Sequence, residues 1–367
     1  MSPTVAEIHL SALRHNLTEV MHRVGTAAVL AVVKANAYGH GAIHVSKTLL
    51  AAGVRRLGVA TVAEGMELRE AGINAPVLVM GGVFPEELPN LLEHHLTPVL
   101  PSLDAVRALA SAVNQRSAPL PVHLKVDTGM RRLGLSPEEV RELFGSVWPR
   151  ALHLEGVMSH LASADDEDTD ATERQLKMFR ELLDDLKLLG TSVPIAHVAN
   201  SAGILRFSGS HFDMVRPGLM LYGYSPSQLC TPDLHPVLAW KTRVVQIKAV
   251  GAGQPVSYGG TFVTARPTKL AILPVGYADG YHRALSNCGR VLIGGQPAPV
   301  VGRVCMDLTM VDVTDHPPVH PGDEVVLLGR QGTATITADD LAACLNTISY
   351  EVLSGIGRRV VRVYRED

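Results

Sequence analysis

The sequence predicts an α/β chain: a (β/α)8 TIM-like barrel followed by a mostly β C-terminal domain. Three observations carry this. Short apolar runs alternate with amphipathic helical stretches up to about residue 220. The runs number eight. Beyond Leu234-His235-Pro236 the texture changes to alternating strands cut by Gly and Pro. The boundaries drawn are 1–234 for the barrel and 235–367 for the β domain. Thr4–Ile8 is free to pair with the second domain instead of the first.

Leu10 to Val20 reads as an opening helix. Candidate strands follow at Ala28–Val33, Leu57–Ala60, Val77–Met80, Thr97–Leu100, Val122–Val126, Leu152–Met158, Ile195–Val198 and Asp213–Val215. Between most of them apolar residues recur at helical spacing, most clearly over Ala63–Ala71 and Thr172–Leu189. Gly72 and Gly190 then look like helix stops. Eight strand–helix units imply a closed barrel, in which the site gathers where the strands end. Past residue 234, Trp240–Val250 alternates in strand fashion. Val291–Ile293, Val300–Val304, Thr309–Val313 and Glu324–Leu328 follow, with a short helix at Ala338–Leu345.

The 367 residues carry a net charge of -3, 46% hydrophobic residues and no long basic run. A sizeable core is therefore possible, and neither nucleic acid nor an anionic membrane surface is expected as the main partner. Cys230, Cys288, Cys305 and Cys344 are widely spaced and form no C-x-x-C pair, so neither a zinc site nor a disulfide framework is expected. The first residues lack the basic-then-apolar pattern of a signal peptide, and no apolar stretch reaches the roughly 20 residues of a spanning helix. The expected setting is cytoplasmic.

Lys34 ends the apolar run Ala28–Val33 and is followed by Ala35-Asn36-Ala37-Tyr38-Gly39-His40-Gly41. Desolvation at the end of a buried strand lowers a lysine pKa, and a neutral amine is what Schiff-base chemistry requires. The competing reading is a lysine that snorkels to solvent. Other strand ends add Lys125 with Arg132, Ser159-His160, His197 before Asn200-Ser201, and Arg216-Pro217-Gly218. Asn200, Ser201, Gly203 and Gly218, after the seventh and eighth strands, sit where barrels often bind phosphate. Ordinary turn and cap chemistry uses the same residues.

Longer motifs add a resemblance. Val-Lys-Ala-Asn-Ala-Tyr-Gly-His-Gly at 33–41, Val-Arg-Pro-Gly at 215–218, Val-Ser-Tyr-Gly-Gly-Thr-Phe at 256–262, Gly-Tyr-Ala-Asp-Gly at 276–280 and Gly-Arg-Val-Cys-Met-Asp at 302–307 resemble the alanine racemases. So do Ala6-Glu7-Ile8, Ala-Leu-Arg-His-Asn at 12–16 and Ser349-Tyr350-Glu351. The resemblance implies pyridoxal 5'-phosphate (PLP) in the barrel, interconversion of L- and D-alanine, and supply of D-alanine for peptidoglycan. It also implies a homodimer in which the second domain of one subunit completes the other's site.

By the same resemblance Lys34 is the Schiff-base lysine and one catalytic base, and Tyr258 from the partner subunit is the other. Tyr38, Ser201, Gly218, Tyr350 and the backbone of Leu219 hold the cofactor phosphate, with Asn200 beside them. Arg216 binds the pyridine nitrogen with His197 behind it, and His160 supports Tyr258. Arg132 and the backbone of Met306 grip the substrate carboxylate. Tyr277 and Tyr350 form the inner gate, with Asp307 nearby. Lys125 matches a lysine that is often carbamylated and then orients Arg132.

A free tyrosine, pKa about 10, is too weak a base at neutral pH. A nearby cationic network of His160 with Arg216 is expected to favour the phenolate of Tyr258. Arg216 can only donate, so it leaves the pyridine nitrogen unprotonated. A fold-related PLP decarboxylase typically sets a glutamate there, and a PLP carrier resembles the barrel half alone. A racemase preferring serine or a larger amino acid keeps the same mechanism. The chain departs from the family near Leu353 or Ser354, where a cysteine is more frequent, and at Val361, where a proline is. Those positions bear on substrate preference and dimer packing.

Overall fold

The computed structural model describes residues 3–146 and 148–367. The chain forms two compact bodies. One comprises 13–37 and 42–235; the other comprises the residues up to 12, 38–41 and 236–367. The first strand, β1 (Val5–His9), lies in the second of these.

The first body is a barrel of eight parallel strands: β2 (Ala28–Val32), β3 (Arg56–Val59), β4 (Val77–Val79), β5 (Thr97–Leu100), β6 (Leu120–Lys125), β7 (Leu152–Met158), β8 (Ile195–His197) and β9 (Met214–Val215). Their hydrogen-bonded order is β8-β7-β6-β5-β4-β3-β2-β9. Strands covered on both faces are mostly apolar, as β4 and β5 show with every residue buried and Thr97 their one polar side chain. Asp213 closes the gap between β8 and β9. Its backbone N–H donates to the Ala196 carbonyl at 3.1 Å, and its carboxylate accepts from the Ala196 N–H at 2.8 Å. β9 in turn pairs with β2, Ala28 opposite Met214.

The helices between strands follow their side-chain spacing. Asp170–Leu188 buries Leu176, Phe179, Leu182 and Leu186 on one stripe. Thr61 and Ser136 start helices with reciprocal caps to Glu64 and Glu139, which satisfy N–H groups a helix leaves unpaired. Among the described residues no helix is long and apolar enough to cross a membrane.

The second body is mostly β. Its strands are β10 (Leu238–Arg243), β11 (Gln246–Val250), β12 (Pro255–Val256), β13 (Phe262–Val263), β14 (Thr268–Leu273), β15 (Arg290–Ile293), β16 (Gln296–Pro299), β17 (Thr309–Asp312), β18 (Glu324–Gln331), β19 (Ala334–Ile336) and β20 (Val361–Arg365). A seven-stranded sheet runs β16-β15-β18-β10-β1-β20, with β19 on β18. β1 is antiparallel to β10 and parallel to β20. Trp240 and Tyr281, both fully buried, meet edge to face beneath it, ring centroids 5.9 Å apart.

Two expectations fail here. Trp240–Val250 is two strands, because the chain changes sheets at Val244-Val245. The Val244 N–H donates to Asp323 in one direction and the Val245 N–H to Ile272 in the other, at 3.0 and 2.9 Å. Val300–Val304 is not a strand: Val300 makes a lone bridge to Val311, and the strand is Gln296–Pro299 instead. Pro297 and Pro299 disguised it. They are tolerated because β16 is an edge strand and needs half its N–H groups only.

Candidate active site

In the barrel body the ends of the strands carry the polar groups. β2 runs out through the buried Val33, and Lys34 follows, partly buried. Ala35, Asn36, Ala37 and Tyr38 then take φ values of 51°, 53°, 53° and 52°. A left-handed turn of L-residues costs roughly 1–2 kcal/mol per residue, so other contacts must impose it. The Ala37 N–H donates to the Val33 carbonyl at 2.8 Å, and Asn36 Oδ1 accepts from the Ala42 N–H at 2.8 Å. Glu64 does most. One carboxylate oxygen accepts from the Ala35 N–H and the other from the Ala60 N–H, both at 2.7 Å. A single side chain thus ties the ends of β2 and β3 and sets the direction in which Lys34 leaves the barrel. Glu64→Ala is expected to lower stability by about 2 kcal/mol, the size of charge-assisted hydrogen bonds lost. An unchanged thermal midpoint would show that the turn is held by other means.

Burial lowers the Lys34 pKa, and the Arg132 guanidinium lowers it further against the opposing charge of Glu64. Lys125, at the end of β6, is buried and pulled down to about 7 by desolvation and by Arg216 and Arg132. Arg216, directly after β9, is 4% exposed. Its Nη1 donates to His197 Nδ1 at 2.9 Å. Its Nη2 donates to the carbonyls of Ser159 and Val198 at 2.6 and 3.0 Å and to His160 Nδ1 at 3.2 Å. Desolvation lowers the guanidinium to about 9, which still leaves it a cation at neutral pH.

His160 and His197 are both held well below the ordinary histidine range, by burial first and by Arg216 second. They are neutral donors and acceptors. The cationic network expected of His160 with Arg216 is thus carried by Arg216, while burial and that guanidinium hold the His160 imidazole low. With Nδ1 accepting from Arg216, His160 keeps its proton on Nε2.

Ser201 Oγ accepts from the Gly218 and Met220 N–H groups at 3.0 and 3.4 Å. Two amides and a hydroxyl thus converge on one point. Leu219 is buried in the turn between them. Asn200 Oδ1 caps the helix Ser201–Arg206 by accepting from the Gly203 N–H at 2.9 Å, so its side chain is committed to structure.

The second body holds the other candidates. Tyr38 and Tyr350 are neighbours, ring centroids 6.0 Å apart, and burial raises the Tyr38 phenol. The adjoining Gly39 (φ 82°) allows no side chain, since a Cβ would lie 2.2 Å from the Leu353 carbonyl oxygen. Tyr277 and Met306 are exposed, and their loops lie together through Tyr277 N–H to Cys305 and Ala278 N–H to Met306, at 3.0 and 3.1 Å. Asp307 accepts from Arg359 at 2.8 Å, and Arg359 also pairs with the buried Asp279. Tyr258 is 72% exposed. Ser257 before it takes φ 65°, pinned by its hydroxyl donating to the Arg303 carbonyl at 2.7 Å.

Lys34, Lys125, Arg132, His160 and Arg216 act on one another electrostatically, so the barrel brings these predicted residues together. Sequence reasoning missed Glu64 and His123. The Thr61-x-x-Glu64 spacing is a cap signature that marked the first. His123 stands two residues before Lys125 on the same strand, and its Nδ1 meets His197 Nε2 at 2.8 Å. A polar residue at that parity points into the barrel.

Comparison with known proteins matches this arrangement. The alanine racemase N-terminal domain model matches residues 8–226 and the C-terminal domain model residues 237–364. An alanine racemase of Halothermothrix orenii is 47% identical over 99% of this chain and 97% of its own. The structure of alanine racemase from Bacillus anthracis with bound L-Ala-P superposes with a TM-score of 0.92 at 36% identity, covering 100% of this chain and 95% of that one. Alanine racemase from Bartonella henselae with covalently bound pyridoxal phosphate gives 0.90 at 32% identity, over 99% of both chains. With both domain models matched in order and relatives aligned from end to end, this chain belongs to the alanine racemase family.

Proposed function

We propose that the chain is a PLP-dependent racemase of alanine that works as a homodimer. The observation that carries this is the buried Arg216, donating to His197 and His160 on the rim where Lys34 leaves β2. The residues present fit the cofactor: a lysine with a depressed pKa, a buried guanidinium, and the Ser201 hydroxyl, whose oxygen accepts from two amides and leaves its proton to donate. Lys34 would hold PLP, Arg216 its ring nitrogen, and Tyr38, Ser201, Gly218, Leu219 and Tyr350 its phosphate. When bound, PLP supplies the electron sink that makes loss of an α-proton tolerable.

Racemisation needs a proton taken from one face and delivered to the other. The neutral amine of Lys34 serves one face. Tyr258 from a second copy serves the other. The Nε2–H that Arg216 imposes on His160 is a donor suited to a phenolate, and Arg216 supplies the positive field behind it. Arg132 and the Met306 amide would hold the substrate carboxylate, with Tyr277 and Tyr350 narrowing the way in and Asp307 beside them. Arg216 donates and does not give up its proton, which disfavours side reactions that need a protonated ring. The second copy is supported by the exposed apolar side chains of the β body: Val245, Tyr258, Val263, Tyr277, Met306 and Leu308. Four unpaired thiols support a reducing, cytoplasmic setting.

The test is proton NMR of L-alanine with purified protein and PLP in deuterated water, followed by chiral analysis. Loss of the α-proton signal with appearance of D-alanine is the expected result. Exchange of serine but not alanine would move the substrate. No exchange of any amino acid would overturn the reading.

Carbamylation of Lys125 belongs to the same proposal. A bare amine near Arg216 and Arg132 is poor electrostatics, whereas a carbamate makes an anion–cation pair with Arg132. The neutral amine is the form that adds carbon dioxide, so the adduct is expected to accumulate as pH rises through 7. Crystallographic density at Nζ checks it, and a bare amine at pH 8.5 with bicarbonate present would refute it.

A further inference from the structure

Two hydrogen bonds lead from Arg216 through two buried histidines, and the second histidine approaches an ion pair of Glu155 with Arg56. Arg216 Nη1 meets His197 Nδ1 at 2.9 Å, His197 Nε2 meets His123 Nδ1 at 2.8 Å, His123 Nε2 approaches Glu155 Oε2 at 3.3 Å, and Glu155 Oε1 pairs with Arg56 at 2.8 Å. Both histidines are essentially inaccessible to solvent.

The two ends of this chain locate every proton in it. Arginine has no acceptor, so His197 Nδ1 must accept and its proton must sit on Nε2. That proton faces His123 Nδ1, which must accept in turn, leaving the His123 proton on Nε2. An ionised carboxylate has no donor, so Glu155 Oε2, 3.3 Å away but not aligned for a regular hydrogen bond, attracts that last N–H electrostatically. Reversing either imidazole would set donor against donor at Arg216 or acceptor against acceptor at Glu155. Burial and the neighbouring guanidiniums keep both rings neutral, which the scheme requires.

Two features of the barrel exist to make the chain possible. Along β7, Leu154 pairs with Val122 and Gly156 with His123, so Glu155 is an extra residue in the ladder. Such a bulge re-aims a side chain, and here the residue it carries is the carboxylate that meets His123. Next to it, a Cβ on Gly156 would lie 2.5 Å from two atoms of the His123 ring. Any side chain at 156 would displace that imidazole.

We infer that His123 and Glu155 are positioning residues of this enzyme, fixing the tautomer of His197 and through it the direction in which Arg216 donates. Neither touches substrate or cofactor. The inference rests on the proposed racemase reading for its catalytic meaning, but the tautomers stand apart from it. Arg56 pairs with Glu155 at the partly exposed end of the chain, so Glu155 stays ionised without a proton from His123.

The experiment is 15N–1H correlation spectroscopy of histidine-labelled holoenzyme, on the unsubstituted protein, Glu155→Gln and Glu155→Leu, together with kcat and KM for alanine. In the unsubstituted protein His123 and His197 are expected to carry their protons on Nε2. Glu155→Gln retains an acceptor oxygen and is expected to keep both tautomers and most of kcat. Glu155→Leu is expected to mix the His197 tautomers and lower kcat about tenfold, with KM little changed, as loss of an outer-shell partner does. A proton on His197 Nδ1 in the unsubstituted protein would overturn the inference whatever the variants do. So would Glu155→Leu with an unmixed His197 and full kcat. Because α-proton exchange tests the racemase reading and the spectra test the chain, either can fail alone.

Discussion

Lys34→Ala is expected to abolish racemisation while the protein stays folded. The side chain is one of the two proposed bases and the proposed anchor of the cofactor, and a positioned base contributes about 10²–10⁴-fold by itself. Little stability should be lost, because the lysine is only partly buried and the turn after it is held by Glu64 and Asn36. Tyr258→Phe is expected to be inactive too, for the loss of the second base. Mixing the two inactive proteins is then the informative step. If each site draws Lys34 from one subunit and Tyr258 from the other, a hybrid dimer has one intact site. After random exchange roughly a quarter of all sites should be restored in a one-to-one mixture. No recovery, with exchange confirmed by differently tagged subunits, would show that the sites are not shared.

Arg216→Glu carries the second large effect. The substitution puts an acceptor against His197 Nδ1 and His160 Nδ1, which now both accept from the guanidinium. Both imidazoles must turn or take up a proton, and the carbonyls of Ser159 and Val198 lose their donor. Loss of a preorganised donor of this kind costs on the order of 10²-fold in rate. A carboxylate at the ring nitrogen also favours its protonated form. The variant is therefore expected to racemise alanine at least about 10²-fold more slowly and to show a long-wavelength absorption band on adding substrate. Unchanged spectrum and rate would remove Arg216 from the site. Arg216→Lys separates charge from geometry, since it keeps the cation but not the fork that reaches four acceptors.

The barrel was legible because its strands are buried on both faces. Such strands read as plain apolar runs, and Val77–Val79 or Thr97–Leu100 needs no finer signal. Strand ends were legible for the same reason: an apolar run that stops at Lys34 or Arg216 marks its own boundary. The β body was read less well. Its strands are short, and nothing in the residues at Val244-Val245 marks the switch from the largely buried β10 to the more exposed β11. The signal that the chain changes partners lies in Asp323 and Ile272, far away in sequence. The site divides likewise. Lys34, Lys125 and Arg216 stand at strand ends and were visible there. The downward shift of His160 was not visible, because burial depends on what packs around a residue. Glu155 was out of reach, for its inward aim comes from a one-residue slip between β6 and β7 that alternation along either strand does not reveal.

The closure of β9 on β2 has a consequence for the birth of the protein. Residue 214 follows its partner, residue 28, by about 190 positions, and ribosomes add roughly 5–20 residues per second. For roughly 10–40 s after it emerges, the strand that carries Lys34 has one edge without its final neighbour. β1 waits longer still, since β20 is its parallel partner. Nascent chains of this length expose unpaired strand edges to one another on crowded polysomes. A slower stretch of translation before residue 214 should therefore lower soluble yield, and coexpressed chaperone should restore it.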